Sequence, residues 1–292
     1  MIVAVIVTVG TTLGPDLFDI PAIQDDLREW RDADDFRYAV DYNDPAIQLV
    51  LPAGVDLTAK QAAYLKGWSL AREGARNSDE KVPDLLKELR EIGAATPVDV
   101  THIAISVEGR RRQPIHVDAI YPVQIHRTAP YSGTLVNITP EGGGDTLQMM
   151  FNFDEITPRA RTTIDGDDVS GAPLKPGVPY FDKHTLTIED GKEDEINIAM
   201  TGTRYAVSFK IRIDYRIGGQ RRHQIIGYGE RPFLVTPFNC VDPAPRDKRG
   251  NFVMAKDGRD IVMGHISYDH IWAYGRNGIE SKKNTHWFEF EC

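Results

Sequence analysis

Apolar and polar residues alternate with period two through much of the stretch between Val98 and Pro237, most clearly in Thr101–Val107, Ile115–Ile125 and Arg204–Ile217. That period puts one set of side chains on a core face and the other in water, so each run predicts a strand of an antiparallel sheet. In Arg204–Ile217 the alternation assigns Tyr205, Val207, Phe209, Ile211, Ile213 and Tyr215 to the core. Arg204, Ser208, Lys210, Arg212, Asp214 and Arg216 fall on the opposite face. Slipping the register by one residue would bury those charges, so the pairing is strongly specified. About seven such strands, punctuated by Gly, Pro and Asp, predict an antiparallel β-sandwich over residues 98–237. Glu108-Gly109 and Gly218-Gly219 read as hairpin turns.

Outside this stretch the period changes. Pro21 to Arg31 reads as a helix, with Ile23, Leu27 and Trp30 on one face, and the acidic run Asp32 to Asp35 ends it. Phe36–Val40 and Ala46–Leu51 read as strands separated by Asn43-Asp44-Pro45. Thr58 is placed to cap a helix running to about Arg72, with Ala62, Tyr64, Leu65 and Trp68 on its apolar side. Ser78 or Asp79 caps a third helix carrying Val82, Leu85, Leu86, Leu89 and Ile92, which Gly93 stops. Residues 15–97 are therefore expected to form a mixed α/β region. Residues 238–292 are rich in aromatics, among them Tyr268, Trp272, Tyr274, Trp287, Phe288 and Phe290, and are expected to pack along the sandwich.

Residues 1–14 hold an apolar run, Ile2 to Val9, broken only by Thr8. Its β-branched content suits a buried strand. A signal peptide would place Lys or Arg ahead of the run, and the first basic residue is Arg28. The run is also shorter than the ~20 apolar residues of a full membrane span. The glycine-rich turn, long helix and repeated buried parallel strands of a doubly wound fold do not follow it. The expectation is therefore a truncated membrane anchor, with a cytoplasmic strand as the alternative.

Composition adds bounds. The 292 residues are 41% hydrophobic, enough for one large core or two smaller ones, and carry a formal net charge of −9. That balance argues against a general nucleic-acid binder, which needs a basic face. Basic residues do cluster at Arg110-Arg111-Arg112 and at Arg221-Arg222-His223, beside the two expected turns, where solvated tips are the plain expectation. Two cysteines exclude a disulfide-dense scaffold or a four-cysteine zinc site. They leave one candidate disulfide, Cys240 to Cys292.

Candidate chemistry is sparse. His265, Asp269 and His270 form the densest group of potential metal ligands, but histidines five apart miss the i, i+4 spacing of a helical site and face opposite sides of a strand. No metal and no cofactor is expected. Asp165-Gly166-Asp167-Asp168 lacks the spacing of a calcium loop, and Glu141–Asp145 lacks the Gly-Lys-Ser/Thr ending of a phosphate loop. The adjacent Asp154-Glu155 pair would point to opposite faces of a strand. Neither Gly-x-Ser-x-Gly nor a cysteine in a reactive context occurs, so no catalytic residue is nominated.

Several short series do form a pattern: Val107-Glu108-Gly109-Arg110, Arg127-x-x-Pro130-x-x-Gly133, and Phe151-Asn152-Phe153-Asp154 followed by Pro158-x-Ala160. It continues through Pro179-Tyr180-Phe181-x-x-His184-Thr185-Leu186-Thr187-Ile188, Tyr215-x-x-Gly218-Gly219 and Gly229-x-Arg231-Pro232-Phe233. Over Val98 to Thr236 the chain resembles uncharacterised actinobacterial single-pass membrane proteins with an extracytoplasmic β-rich domain. The resemblance implies one membrane helix ahead of that domain and carries no activity, substrate or catalytic residue. The expected function is non-enzymatic: an extracytoplasmic domain of a membrane-anchored protein that binds a partner protein or an envelope ligand. The alternatives are a hydrolase with a loop-assembled His/Asp site and a soluble cytosolic interaction module.

Overall fold

The apolar runs become strands that distribute themselves over three sheets. The computed structural model describes residues 35–43, 47–71, 82–98, 102–138, 149–164, 175–242, 245, 247–248, 253, 264–275 and 278–290. The expected helix at Pro21–Arg31, the apolar segment 1–14 and the Gly/Asp loops at 141–145 and 165–168 lie outside them.

The first sheet runs β1 (Phe36–Asn43), β4 (His102–Gly109), β11 (Glu193–Thr201), β7 (Met149–Asn152), β8 (Arg161–Ile164) and β9 (Lys175–Pro179). The second runs β10 (Leu186–Ile188), β5 (Ile115–Thr128), β12 (Ala206–Ile217), β14 (Phe233–Thr236) and β3 (Thr96–Pro97), with β13 (Gln220–Ile226) also paired to β12. The third runs β15 (Cys240–Asp242), β16 (Gly264–Gly275), β6 (Thr134–Ile138) and β2 (Ile47–Val50), with β17 (Gly278–Phe290) on β16. Two helices, α1 (Ala59–Ala71) and α2 (Val82–Glu91), join the third sheet's core.

The chain is mainly β, as its alternation predicts, but its sheets are mixed. Parallel pairing joins β11 to β7, β14 to β3 and β16 to β6. A parallel pair needs a connection that leaves one strand and returns, so these pairs tie segments distant in sequence.

One core is shared by the first two sheets. Ile103, Ile105, Phe151, Ile196 and Ile198 from the first meet Ile115, Phe209, Ile211, Ile213 and Phe233 from the second. Phe209 sits among three rings, with centroids 4.7 Å from Phe153, 5.4 Å from Phe233 and 6.5 Å from Phe151. On β12 the buried set is Val207, Phe209, Ile211, Ile213 and Tyr215, while Ser208, Lys210, Arg212 and Asp214 are half-exposed and Arg216 is exposed. Tyr205 departs from the alternation: it precedes the strand and is 43% exposed. The residue before β12 has no ladder to hold it to the core face.

The third sheet is covered on both sides. Leu49, Leu51, Val136 and Trp272 pack with Leu65 of α1 and Leu85 and Leu89 of α2, while Val50, Leu135, Ile266 and Ile271 form a separate cluster. A sheet buried on both faces has no polar side, which is why Ala46–Leu51 reads as nearly continuous apolar sequence. Thr58 caps α1 as its position predicts: its Oγ1 accepts the Gln61 N–H at 3.3 Å and its own N–H donates to Gln61 Oε1 at 2.9 Å. Gly93, at φ +96°, stops α2.

Sheet pairing crosses the boundaries that composition places at 97 and 237. β1, from the expected α/β region, pairs along its length with β4. The C-terminal strands build their own sheet around β6 and β2. The expected turn at Gly218-Gly219 forms, with φ of +55° and +80° between Ile217 and Gln220. The one at Glu108-Gly109 does not: Gly109 ends β4, and β5 belongs to another sheet. A Cβ at Gly109 would overlap the Glu189 carbonyl, so glycine there serves close packing rather than a hairpin.

Candidate functional site

The two basic triplets, 111 residues apart in sequence, converge on one carboxylate. Asp35 immediately precedes β1, and its side chain is only 2% exposed. It accepts hydrogen bonds from the Tyr215 hydroxyl at 2.7 Å, from Arg111 Nε at 2.9 Å and from Arg222, one of whose terminal nitrogens lies 2.9 and 3.0 Å from the two oxygens. Burial by itself would raise the Asp35 pKa; the hydrogen bonds from Tyr215, Arg222 and Arg111 outweigh it and hold the carboxyl below its ordinary value. Tyr215 is pushed upward, first by burial and then by the Asp35 charge that its hydroxyl serves. Two guanidiniums and a phenol thus meet one carboxylate at the edge of the core.

Arg111 and Arg222 are therefore not the solvated tips that their sequence context suggests. Arg111 is 11% exposed on its side chain. The signal is invisible locally because Asp35 is 76, 180 and 187 residues from Arg111, Tyr215 and Arg222.

The hairpin that carries Arg222 also builds an outward face. Arg216 of β12 stands directly across from Arg221 of β13, and Asp214 across from His223. Cross-strand partners share a face, so these four and Arg212 present to the same side. On the other flank, the pairing of β5 with β12 slips between Asp214 and Tyr215. The slip is a bulge that leaves both Asp118 and Ala119 off the core side. Asp118 takes Arg216 Nε on both its oxygens at 2.9 Å. Asp214 accepts Arg212 Nε at 2.7 Å and the Tyr121 hydroxyl at 2.8 Å, and Arg212 lies 5.8 Å from the Tyr121 ring centroid. Asp118, Ala119, Arg212, Asp214, Arg216, Arg221 and His223, with Tyr215 and Arg222, line an open groove of about 640 Å³. A second slip in β5 places Gln124 at φ +54°, the single positive φ away from glycine among the described residues.

The histidine group separates. His270 Nδ1 lies 3.1 Å from Asp56 Oδ2, and Asp56 Oδ1 also accepts the Thr134 hydroxyl at 2.9 Å. Asp269 is exposed and accepts the Gly54 N–H at 3.3 Å, while His265 sits in register with Asp242. Among the described residues no three His, Cys, Asp or Glu side chains gather to hold a metal. Asp154 and Glu155 lie in the turn after β7 and each has a structural partner: Asp154 accepts from Thr203, and Glu155 pairs with Arg161 at 2.7 Å. Cys240 is disulfide-bonded; its expected partner, Cys292, lies outside the described residues.

Comparisons of the chain with protein-family models, with curated proteins and with solved structures found no match. Among the described residues no helix is long and apolar enough to cross a membrane.

Proposed function

We propose that this chain is a non-enzymatic binding domain that works outside the cytoplasm, in a protein held to the membrane through its N-terminal segment. In this reading the two sheets around Phe209 act as a β-sandwich scaffold, and the groove over β5, β12 and β13 is its binding face. The observation that carries the reading is the disulfide at Cys240. Disulfides persist in oxidising compartments and are rare where glutathione and thioredoxin keep thiols reduced. The pairing partner that the sequence offers is Cys292. β-pairing brings the strand that ends two residues before it close by: Phe290 opposes Gly264 of β16, and Cys240 opposes Ile266 of the same strand.

Binding rather than turnover is supported by the state of the groove's side chains. Its carboxylates are occupied by arginines, which fixes guanidinium donors in place and takes up Asp118 and Asp214 as ion-pair partners. Peptide mapping without reduction, on protein taken from its native membranes, should return a Cys240–Cys292 cross-linked peptide. Two free thiols in that material would overturn the extracytoplasmic assignment.

A further inference from the structure

We propose that the groove over β5, β12 and β13 is a site for a phosphate group, centred on Arg216 and Arg221. The proposal rests on reading this face as a binding surface and names the chemistry of its ligand.

The first argument is the cross-strand register. Arg216 and Arg221 are directly opposed in the hairpin. Like charges so placed destabilise a strand pair, and an anion between them reverses the sign of the interaction. The second is the distribution of partners. Arg216 spends its Nε and one terminal nitrogen on Asp118, which orients the guanidinium and leaves its other donors available. Arg221 makes no ion pair or hydrogen bond with any described residue. Among the described residues on this face, Arg212, Arg216 and Arg221 stand against only Asp118 and Asp214, in a chain whose formal charge is −9. The local potential is therefore positive where the whole is negative.

The third argument separates phosphate from carboxylate. A carboxylate brings two oxygens and a single charge, which Arg216 alone already balances at Asp118. A phosphate group has three terminal oxygens and about −1.5 to −2 charges when it is a monoester, so it can engage guanidiniums from both strands at once. A groove of about 640 Å³ also leaves room for the remainder of a phosphorylated molecule. A soluble phosphate monoester and a phosphomonoester lipid headgroup share this chemistry.

The test uses the full chain, wild type and with Arg221→Ala or Arg221→Glu. Arg221 is exposed and holds no partner among the described residues, so neither substitution should move the thermal midpoint appreciably. Inorganic pyrophosphate is titrated calorimetrically, vesicles containing phosphatidic acid, whose headgroup is a phosphomonoester, are assayed by co-sedimentation, and citrate serves as the carboxylate control. Pyrophosphate should bind the wild type, more weakly as salt is raised, with affinity falling by about tenfold or more in Arg221→Ala and further in Arg221→Glu. Vesicle binding with the same Arg221 dependence and no response to pyrophosphate supports the site and assigns the phosphate to a headgroup. Binding unchanged in Arg221→Glu, or no binding of either phosphate probe, overturns the proposal. Citrate binding that alone depends on Arg221 also overturns the phosphate assignment, while leaving the face a binding surface.

Discussion

Asp35 shows how much one side chain holds at this end of the molecule. Its carboxylate joins the entry to β1, the loop after β4 through Arg111, and the β12–β13 hairpin through Tyr215 and Arg222. Asp35→Ala should cost about 3–5 kcal/mol in denaturant melts, because it leaves two guanidiniums and a phenol without their shared acceptor in a largely desolvated place. The same network sets a pH dependence. The folded-state pKa lies below the ordinary 3.8, so the native state resists protonation that the unfolded chain accepts. That contribution is complete above 3.8 and is lost as pH falls from there through the lower folded value. Tyr215 acts with the opposite sense: its pKa is raised from 10.0, so its contribution is complete below 10 and is lost as pH rises beyond it. Stability profiles of wild type and Asp35→Ala between pH 7 and pH 3 check the acid limb, which should flatten in the variant.

At the scale of elements, β12 is the strand on which the second sheet turns, since it pairs with β5, β13 and β14. Phe209→Ala should destabilise the fold by about 3–5 kcal/mol, because the ring is fully buried among Phe151, Phe153 and Phe233. Lys210→Ala, one residue along and on the solvent side, should stay within about 0.5 kcal/mol. Matching denaturation midpoints for the two would contradict the observed register. Two glycines make a second comparison. Gly219 has φ +80° with nothing near an added Cβ, so Gly219→Ala should cost only the left-handed conformation, about 1–2 kcal/mol. Gly133 has no such backbone demand, but a Cβ there would overlap the carbonyl oxygen of Pro52 where β6 meets the end of β2. Gly133→Ala must push two strands of the third sheet apart, and should cost about as much as an overpacked core, roughly 1–3 kcal/mol or more. Calorimetric midpoints with Gly219→Asn as a control check the distinction: asparagine tolerates the left-handed region, so it should recover part of the loss at 219.

For the molecule as a whole, the topology joins ends to middles. β1 pairs with β4, β3 with β14, and β2 and β16 both with β6, so strands far apart in sequence share each sheet. A covalent link restricts the unfolded chain according to the length of the loop it closes. If Cys240 pairs with Cys292 as proposed, the bridge closes a loop of about 50 residues, and reduction should lower stability by about 4 kcal/mol. Guanidinium melts with and without a phosphine reductant measure it. A difference near zero would overturn the Cys240–Cys292 pairing or mean that the C-terminal strands unfold independently.

What the sequence determined by itself was local. The period-two alternation of Val207 through Tyr215, the Thr58 cap with Gln61, the Gly93 stop and the Gly218-Gly219 turn are all legible because each depends on neighbours within a few residues. The same rule explains why the Asp269 and His270 side chains part company: alternation on β16 keeps adjacent residues on opposite faces, so Asp269 accepts from Gly54 while His270 meets Asp56. Tertiary structure decided the rest. Parallel pairing turns the expected antiparallel arrangement into mixed sheets, and no local pattern specifies which distant strand will be a neighbour. Asp35 reads as one acid in a short acidic run, and Arg111 and Arg222 read as solvated tips. Only the chain's return across 76 and 187 residues buries that carboxylate between them, and only the β12–β13 register sets Arg221 against Arg216. Alternation records which side of a strand is dry; which charges meet across strands depends on contacts made only when the whole chain has folded.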